Sequence, residues 1–366
     1  MSLQDEITKK AGEIYRESYQ MSIGELINLY RDEEMDIHPE FQRVFRWSDY
    51  QKTKLIESIM LNIPIPQIFV SQSDDGTWDV IDGVQRLSTI FQFVGILKDE
   101  DGNKVNPLIL QATDALPSFA GMSWEGEGKL NFTKEQKLTL KRARLDVTII
   151  KKESDFNTKY ELFQRLNTGG SLLSDQEVRN CLIIMSNKKM YNLLDELSRG
   201  MSFNKCVKIS ERKSDEQYAL EMIVRLFVAD NVQWDEIQQY SELSELLDKE
   251  ILKICNNQQC DYEKIRKQFV NTFDLLYGVM GEDVFRKYDN GRHTGPFLAS
   301  AFQAIAVGVY KNINNILTLS DKNEWLKNKV ENLFNEEVYL KNIIPGVRAI
   351  PRFKELSKWS VNYFNI

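Results

Sequence analysis

The sequence is poor in histidine, with only His38 and His293 among 366 residues. Histidine is the commonest metal-binding side chain. This scarcity therefore excludes most metal sites that are built from several imidazoles. It also argues against a nuclease centre of the HNH type, in which metal-binding and general-base histidines must lie close together.

Cysteine is also scarce and scattered, at Cys181, Cys206, Cys255 and Cys260. No pair has the C-x-x-C spacing of a structural zinc site. The four side chains are therefore predicted to be reduced and buried.

Long apolar runs are missing. No stretch of about eighteen apolar residues occurs, so no membrane span is expected. The first residues, MSLQDEITKKAGEIY, lack the apolar centre of a signal peptide. The sequence therefore predicts a cytoplasmic protein.

An excess of basic residues is missing too, since the formal net charge is −7. Affinity for DNA comes largely from basic groups that displace counterions, so a surface that grips nucleic acid throughout is not expected. Two local basic groups remain: Lys137, Lys141, Arg142 and Arg144, and then Lys205, Lys208, Arg212 and Lys213. Both lie beside carboxylates, which favours solvated surfaces over a basic groove.

Local signals in the first half indicate a mixture of helices and strands. The pattern predicts helices at 22–30 and 48–61, a β-hairpin at 67–82 with its turn at Asp75-Gly76, a strand at 144–152, and a helix beginning near Asp155. Ser174, followed by Glu177, indicates a further helix start. From about residue 180 the apolar spacing is almost purely helical. We therefore predict an α+β fold, with a first domain at 1–185 and an all-helical domain at 186–366.

The stretch WDVIDGVQRLSTIFQF, residues 78–93, places polar residues where a strand becomes a helix. Gly83 lets the backbone approach a ligand, and the amides at a helix start suit an anion. Arg86 would add a guanidinium matched to phosphate oxygens, and Asp82 could hold Mg²⁺ beside them. Gln85 could orient a water or a sugar hydroxyl. An alternative is a structural turn, in which Asp82 caps the helix and Arg86 pairs with a surface acid.

Two further stretches add polar groups. HPEFQRVFRW threads Glu40, Gln42, Arg43 and Arg46 among aromatic residues, an arrangement that could stack a base while the arginines neutralise phosphates. The alternative is a set of core aromatics with outward-pointing arginines. RLNTGGSLLSDQE places Asn167, Thr168 and Gly169 in a polar loop, which an ordinary helix end would also explain. It lacks the lysine of a Walker loop.

Four blocks in this order, PEFQRVFRW, LIESIMLNIPIPQIFV, WDVIDGVQR and ELFQRLNTGGSLLSDQEVRN, resemble the GmrSD restriction endonuclease N-terminal domain family. The resemblance covers about residues 20–185. It implies a ParB/sulfiredoxin-like domain with a small mixed sheet and flanking helices. The usual family motif is DGQQR, so Asp82, Gly83, Gln85 and Arg86 match by position, as do Gln42 and Arg43. Val84 replaces the first glutamine. If that glutamine is needed to place the attacking water, the departure affects hydrolysis more than binding.

The resemblance implies binding and hydrolysis of a nucleoside triphosphate in a restriction or anti-phage defence system, with control of DNA recognition or of a partner nuclease. The expected catalytic residues are Asp82, Gln85 and Arg86. The expected nucleotide site combines Gln42, Arg43, Arg46, Gly83, Arg86, Asn167, Thr168 and Gly169. Asp82 and Glu40 would hold Mg²⁺.

Two other functions stay open: a DNA- or partner-binding module without turnover, and a ParB-like metal-dependent nuclease centred on Asp82, Glu40 and Arg86. Relatives often carry a C-terminal HNH nuclease domain, whereas the helical half here has only His293. That histidine is interpreted as a packed loop residue or a substrate contact. DNA, a nuclease or a methyltransferase are the candidate partners, and a homo-oligomer is left open.

Overall fold

A computed structural model describes residues 2–5, 15–37, 47–73, 75–99, 101–126, 130–151, 174–209, 217–235, 240–257 and 259–366. The chain divides into two compact units, Met1–Leu172 and Leu173–Ile366. The first unit is α+β and the second is helical, which confirms the predicted fold class. The domain boundary expected after residue 185 lies within a helix and stays a prediction.

A mixed sheet forms the centre of the first unit. Its strands are β1 (Arg16–Ser22), β2 (Met35–Asp36), β3 (Ile68–Gln72), β4 (Trp78–Asp82) and β5 (Arg144–Ile150). The spatial order is β1-β5-β3-β4-β2. β1 with β5 and β3 with β4 pair antiparallel, whereas β3 with β5 and β2 with β4 pair parallel. The predicted hairpin is thus β3 and β4, and it lies inside the sheet.

Four described helices surround this sheet: α1 (Ile23–Arg31), α2 (Asp49–Met60), α3 (Val84–Val94) and α4 (Lys134–Arg142). Ser22, Ser48 and Thr133 begin α1, α2 and α4, and each side chain accepts a hydrogen bond from a first-turn amide. These side chains satisfy amides that have no acceptor within the helix. The helices expected at 22–30 and 48–61 are therefore confirmed.

The core of the first unit joins the helices to the sheet. Fully buried side chains come from α1, α3 and two strands: Ile23, Leu26, Leu87, Ile90, Phe91, Val70 and Val147. Tyr30 of α1 stacks on Phe91 of α3, with ring centroids 4.4 Å apart. Helix α3 is therefore anchored along its length, and its first turn is held in a fixed place at the end of β4.

The described helices of the second unit are α5 (Asp175–Ser186), α6 (Lys188–Ser198), α7 (Met201–Cys206), α8 (Tyr218–Asn231), α9 (Leu243–Cys255), α10 (Tyr262–Met280), α11 (Ala299–Ile316), α12 (Lys322–Asn332), α13 (Glu337–Ile343) and α14 (Ala349–Tyr363). A short hairpin, β6 (Lys287–Asp289) and β7 (Arg292–Thr294), follows α10. Ser174 and Glu177 form the expected capping box of α5.

Helix α11 is the centre of the second unit. Its residues from Ala301 to Tyr310 are all buried. At Gly308 the chain of the last helix comes so close that an added Cβ would lie 2.6 Å from the Ser360 carbonyl oxygen and 2.4 Å from Phe364 Cδ2. The contact between α11 and α14 therefore requires glycine at this position.

The remaining sequence expectations have mixed outcomes. Cys181, Cys206 and Cys255 are buried, as predicted, whereas Cys260 is only partly so. His293 lies in the β7 strand rather than in a loop, with Nδ1 3.3 Å from the Arg286 carbonyl oxygen. None of the described helices has the length and apolarity that a membrane span requires. The helix expected near Asp155 lies outside the described residues.

Candidate functional site at the junction of β4 and α3

The structure brings four of the predicted site residues together. Asp82 ends β4, Gly83 is the turn, and Gln85 and Arg86 lie in the first turn of α3. The other predicted residues lie outside the described part of the chain: Glu40, Gln42, Arg43, Arg46, Asn167, Thr168 and Gly169. Their place in the site, and that of Glu40 as a metal ligand, therefore stays a prediction.

Gly83 makes the change from strand to helix in one residue. Its φ is +102°, a left-handed conformation that favours glycine. An added Cβ would also lie 2.3 Å from Cδ1 of Ile68, at the start of the neighbouring strand. Because Gly83 has no side chain, α3 begins without the side-chain cap that α1, α2 and α4 possess. The amides of its first turn are therefore not capped by the preceding residue.

Arg86 is the most highly connected of the four. Nη2 donates to Asp82 Oδ2 at 2.7 Å, one helical turn back. Nη1 donates to the carbonyl oxygens of Pro66 and of Gln67, the latter at 2.9 Å. The side chain is 11% exposed. Its guanidinium thus joins three segments: the end of β4, the start of α3 and the residues before β3.

These contacts change one interpretation from the sequence. The alternative to a ligand site had Asp82 capping the helix and Arg86 pairing with a surface acid. The N-cap residue is Gly83, and the acid that Arg86 meets is Asp82 itself. The Asp82 side chain is 44% exposed, so its carboxylate is open to solvent on one side. Solvent weakens such an ion pair, and the hydrogen bonds of Arg86 to the Pro66 and Gln67 carbonyl oxygens hold the guanidinium in place as well.

The two residues between Gly83 and Arg86 differ in environment. Val84 is 6% exposed and packs into the core of the first unit. Gln85 is half-buried. A side chain at position 84 therefore points into the core in this structure.

The junction has the physical properties of an anion site. The first turn of a helix presents backbone amides and the positive end of the helix dipole. A guanidinium lies beside it, fixed by three hydrogen bonds. The carboxylate of Asp82 opposes a bare anion but suits an anion that arrives with a divalent cation.

Two residues beside the junction were missed from the sequence. Gln67 lies in the block LIESIMLNIPIPQIFV. Its carbonyl oxygen accepts a hydrogen bond from Arg86, and its Oε1 accepts one from Thr148 Oγ1 at 3.2 Å. Thr148 lies 81 residues after Gln67 and meets it because β5 pairs with β3. The prolines just before β3, Pro64 and Pro66, were the sequence signal that could have pointed to Gln67.

A buried carboxylate lies on α2. Glu57 is 2% exposed and accepts hydrogen bonds from Lys54 and from Thr113, which belongs to the segment after α3. Burial acts to raise the pKa of Glu57, but the bonds from Lys54 and Thr113 together hold that pKa below its usual value. This cluster fastens the 101–126 segment to α2 and does not reach the junction residues.

Four lysines of the two basic groups contact acidic or aromatic side chains. Lys137 lies 3.1 Å from Glu125 Oε1, and both Lys137 and Lys141 sit over the Trp124 ring. Lys205 and Lys208 both pair with Glu282. Arg212 and Lys213 lie outside the described residues. The paired lysines agree with solvated surfaces.

Comparison with known protein families shows which family this part of the chain is similar to. Residues 23–184 match the family model of the GmrSD restriction endonuclease, N-terminal domain. This segment is similar to the GmrSD N-terminal domain. No curated protein and no solved structure matches the chain significantly.

The segment that matches this family begins at the first residue of α1 and ends within α5. It therefore contains the junction of β4 and α3, and it reaches beyond Leu172, where the first compact unit ends. The family connects the chain with a restriction-type system, in which DNA-related partners are expected.

Proposed function

We propose that the segment that matches the GmrSD family binds a nucleoside triphosphate with Mg²⁺ at the junction of β4 and α3. In this proposal, nucleotide binding regulates DNA recognition or a partner nuclease in a restriction-type defence system. The observation that carries it is the start of α3: a glycine N-cap without a side-chain acceptor, beside a fixed guanidinium. Three other helices of the unit close their first turn with Ser or Thr.

The junction also fits the metal that accompanies a triphosphate. Mg²⁺ usually binds one or two carboxylates, keeps several waters and takes its other ligands from the phosphates. Asp82 is the half-exposed carboxylate of the junction, and Oδ2 is the atom that Arg86 holds. Oδ1 is therefore the oxygen that would meet the ion. The described residues contain no cluster of three or more His, Cys, Asp or Glu side chains, which agrees with a metal held mainly by its nucleotide.

Turnover is less well supported than binding. The family motif has a glutamine where this chain has Val84, and that valine is buried. If the missing glutamine orients the attacking water, Gln85 is the remaining amide that could do so. The burial of Val84 therefore favours a second candidate function, a nucleotide-responsive binding module that hydrolyses slowly or not at all.

Binding is tested by titration calorimetry of the full chain with each of the four ribonucleoside triphosphates, in Mg²⁺ and in EDTA. We expect at least one nucleotide to bind more tightly with Mg²⁺. In Asp82→Asn the advantage given by Mg²⁺ should shrink about tenfold, which corresponds to one good charge-assisted contact. Lys341→Ala, far along the chain on α13, is the control and should bind like the wild type. No binding of any nucleotide by the wild type would overturn the proposal.

Turnover is tested separately by phosphate release, with and without DNA. Arg86→Lys keeps the charge but loses the fork that holds Asp82 and two carbonyls together. Release that the wild type shows and Arg86→Lys loses would support hydrolysis at the junction. Release of equal rate in both proteins would assign it to a contaminant, and tight binding without release would support the binding module.

A further inference from the structure

The residue just before β3 is placed to take part in the same site. Phe69 of β3 is the cross-strand partner of Asp82, and Gln67 lies two residues before Phe69. Side chains alternate along a strand and directly opposed residues point to the same face. Gln67, Phe69 and Asp82 therefore share one face of the sheet, at the end where α3 begins.

The backbone of Gln67 is fixed at this position from two sides. Its carbonyl oxygen accepts from Arg86 Nη1 at 2.9 Å. The next residue, Ile68, packs against Gly83 so closely that no Cβ would fit between them. The exposed side chain of Gln67 thus starts from a backbone that is tied directly to the motif.

A chain of hydroxyl groups orients the Gln67 amide. Thr148 is 3% exposed and donates its single proton to Gln67 Oε1 at 3.2 Å. Ser18 Oγ lies 3.0 Å from Thr148 Oγ1. Because the one hydroxyl hydrogen of Thr148 is donated to Gln67, Ser18 is the donor of that bond. The row Ser18, Thr148 and Gln67 crosses β1, β5 and the approach to β3. It leaves the Nε2 protons of Gln67 without an acceptor among the described residues.

We propose that Gln67 is a phosphate-binding residue of the nucleotide site, and that Thr148 is the residue that positions it. Gln67 Nε2 would donate to a phosphate oxygen held at the first turn of α3, and the hydroxyl row would fix the amide with its oxygen toward Thr148. This inference rests on the proposed nucleotide binding. It adds a donor from outside the DGVQR motif and a reason for the buried hydroxyl of Thr148.

The test measures the affinity of the full chain for its tightest nucleotide and for inorganic tripolyphosphate. Gln67→Ala should weaken both about tenfold, the loss expected for one hydrogen bond to a charged group. Gln67→Glu keeps an acceptor for Thr148, removes the donor and adds a negative charge that repels a phosphate, so it should weaken both at least as much. Gln72→Ala, at the other end of the same strand, is the matched control and should change neither.

The role of Thr148 is tested by a double-mutant cycle. Thr148→Val should weaken binding by itself, about threefold, because the amide is no longer held in one orientation. Since Thr148 acts through Gln67, adding Thr148→Val to Gln67→Ala should cause no further loss. Additive losses would overturn the positioning role and leave a general effect on the sheet. Thermal unfolding of each variant identifies any loss of folded protein.

The outcomes separate the two proposals. A wild type that binds no nucleotide overturns the proposed function and this inference together. Tight wild-type binding that Gln67→Ala leaves within twofold overturns this inference alone. A loss that appears with the nucleotide but not with tripolyphosphate overturns the assignment to phosphate, because the contact would then be to the nucleoside.

Discussion

Gly83 is the residue on which the geometry of the junction depends most. It combines a positive φ with a close contact, and each property by itself disfavours a side chain. The first cost is conformational, because L residues other than glycine seldom occupy this region. The second is steric, and it falls on Ile68, a core residue with no exposed surface.

A pair of glycine substitutions separates the two costs. Gly83→Ala should lower the free energy of unfolding more than Gly76→Ala, by about 1–3 kcal/mol, the usual cost of overpacking. Gly76 has a similar φ of +93°, but no atom lies within 4 Å of its added Cβ. Urea unfolding of both variants measures the difference. Ile68→Val removes the Cδ1 atom and should recover part of the loss, and equal losses at both glycines would contradict the steric argument.

Helix α2 shows how one buried carboxylate secures an irregular segment. Glu57 binds Lys54 within its own helix and Thr113 from the segment 101–126. Thr113 also accepts a hydrogen bond from the Leu116 amide, which shapes the turn there. The segment carries little regular secondary structure, and these polar bonds add to the apolar contacts of its buried side chains Leu110 and Phe119.

The acid dependence of stability should report on Glu57. Its pKa in the folded protein lies below the usual value near 4.5, so the folded state binds this proton less readily than the unfolded state. The resulting stabilisation is complete above the unfolded pKa and is lost as the pH falls through the folded pKa. Glu57→Gln should therefore lower stability at neutral pH by about 1–3 kcal/mol and flatten its decline in acid.

Urea unfolding between neutral pH and about pH 3 would measure this change. Glu33→Gln is a suitable control, because Glu33 is 80% exposed and its contact with Lys98 is at the surface. If stability falls in acid as steeply in Glu57→Gln as in the wild type, other carboxylates govern the acid unfolding.

Two glycines in helices of the second unit should respond to alanine in opposite directions: one substitution should lower stability and the other should raise it. Gly308→Ala should destabilise the protein by about 1–3 kcal/mol, because its Cβ would meet the Ser360 carbonyl and the Phe364 ring. Gly278→Ala, inside α10 with no atom within 4 Å of the added Cβ, should instead stabilise it by about 0.5–1 kcal/mol. Thermal unfolding compares the two. A stabilising Gly308→Ala would mean that the helices can move apart at no cost.

Elements whose cause is local could be predicted from the sequence. Ser48 and Ser174 predict the starts of α2 and α5, because a capping side chain bonds an amide within three residues. The Asp75-Gly76 turn likewise predicts the hairpin. Strand β1 was missed because five of its seven residues are exposed and lack an apolar alternation. Its strand form comes from pairing with β5, more than a hundred residues away.

The same division applies to the site. Asp82, Gly83, Gln85 and Arg86 are neighbours in sequence, so the motif identified them. The carbonyl partners of Arg86 and the hydroxyl that orients Gln67 come from other strands. Such contacts depend on the strand order of the sheet, which no spacing along the chain reveals.

At the scale of the whole molecule, the cysteines offer a simple test of packing. Burial raises the pKa of both Cys206 and Cys255 to about 12, and it also raises the pKa of the half-buried Cys260. Thiolates are the reactive form, so the two buried thiols should be inert at neutral pH. Native protein treated with a maleimide should label first at Cys260, as peptide mass spectrometry would show.

A Cys260→Ser variant is the control for this labelling and should lose the early modification. Cys206 and Cys255 should react only when the surrounding helices open or unfold. Labelling of either residue as fast as Cys260 in the folded protein would contradict the packing described.

All four thiols belong to the second unit, and the segment that matches the GmrSD family contains one of them, Cys181, near its end. The rate of thiol labelling therefore reports on the opening of the second unit. It does not report on the mixed sheet, whose strands contain no cysteine. If added nucleotide slowed this labelling, the result would connect nucleotide binding with the opening of the second unit, without any introduced label.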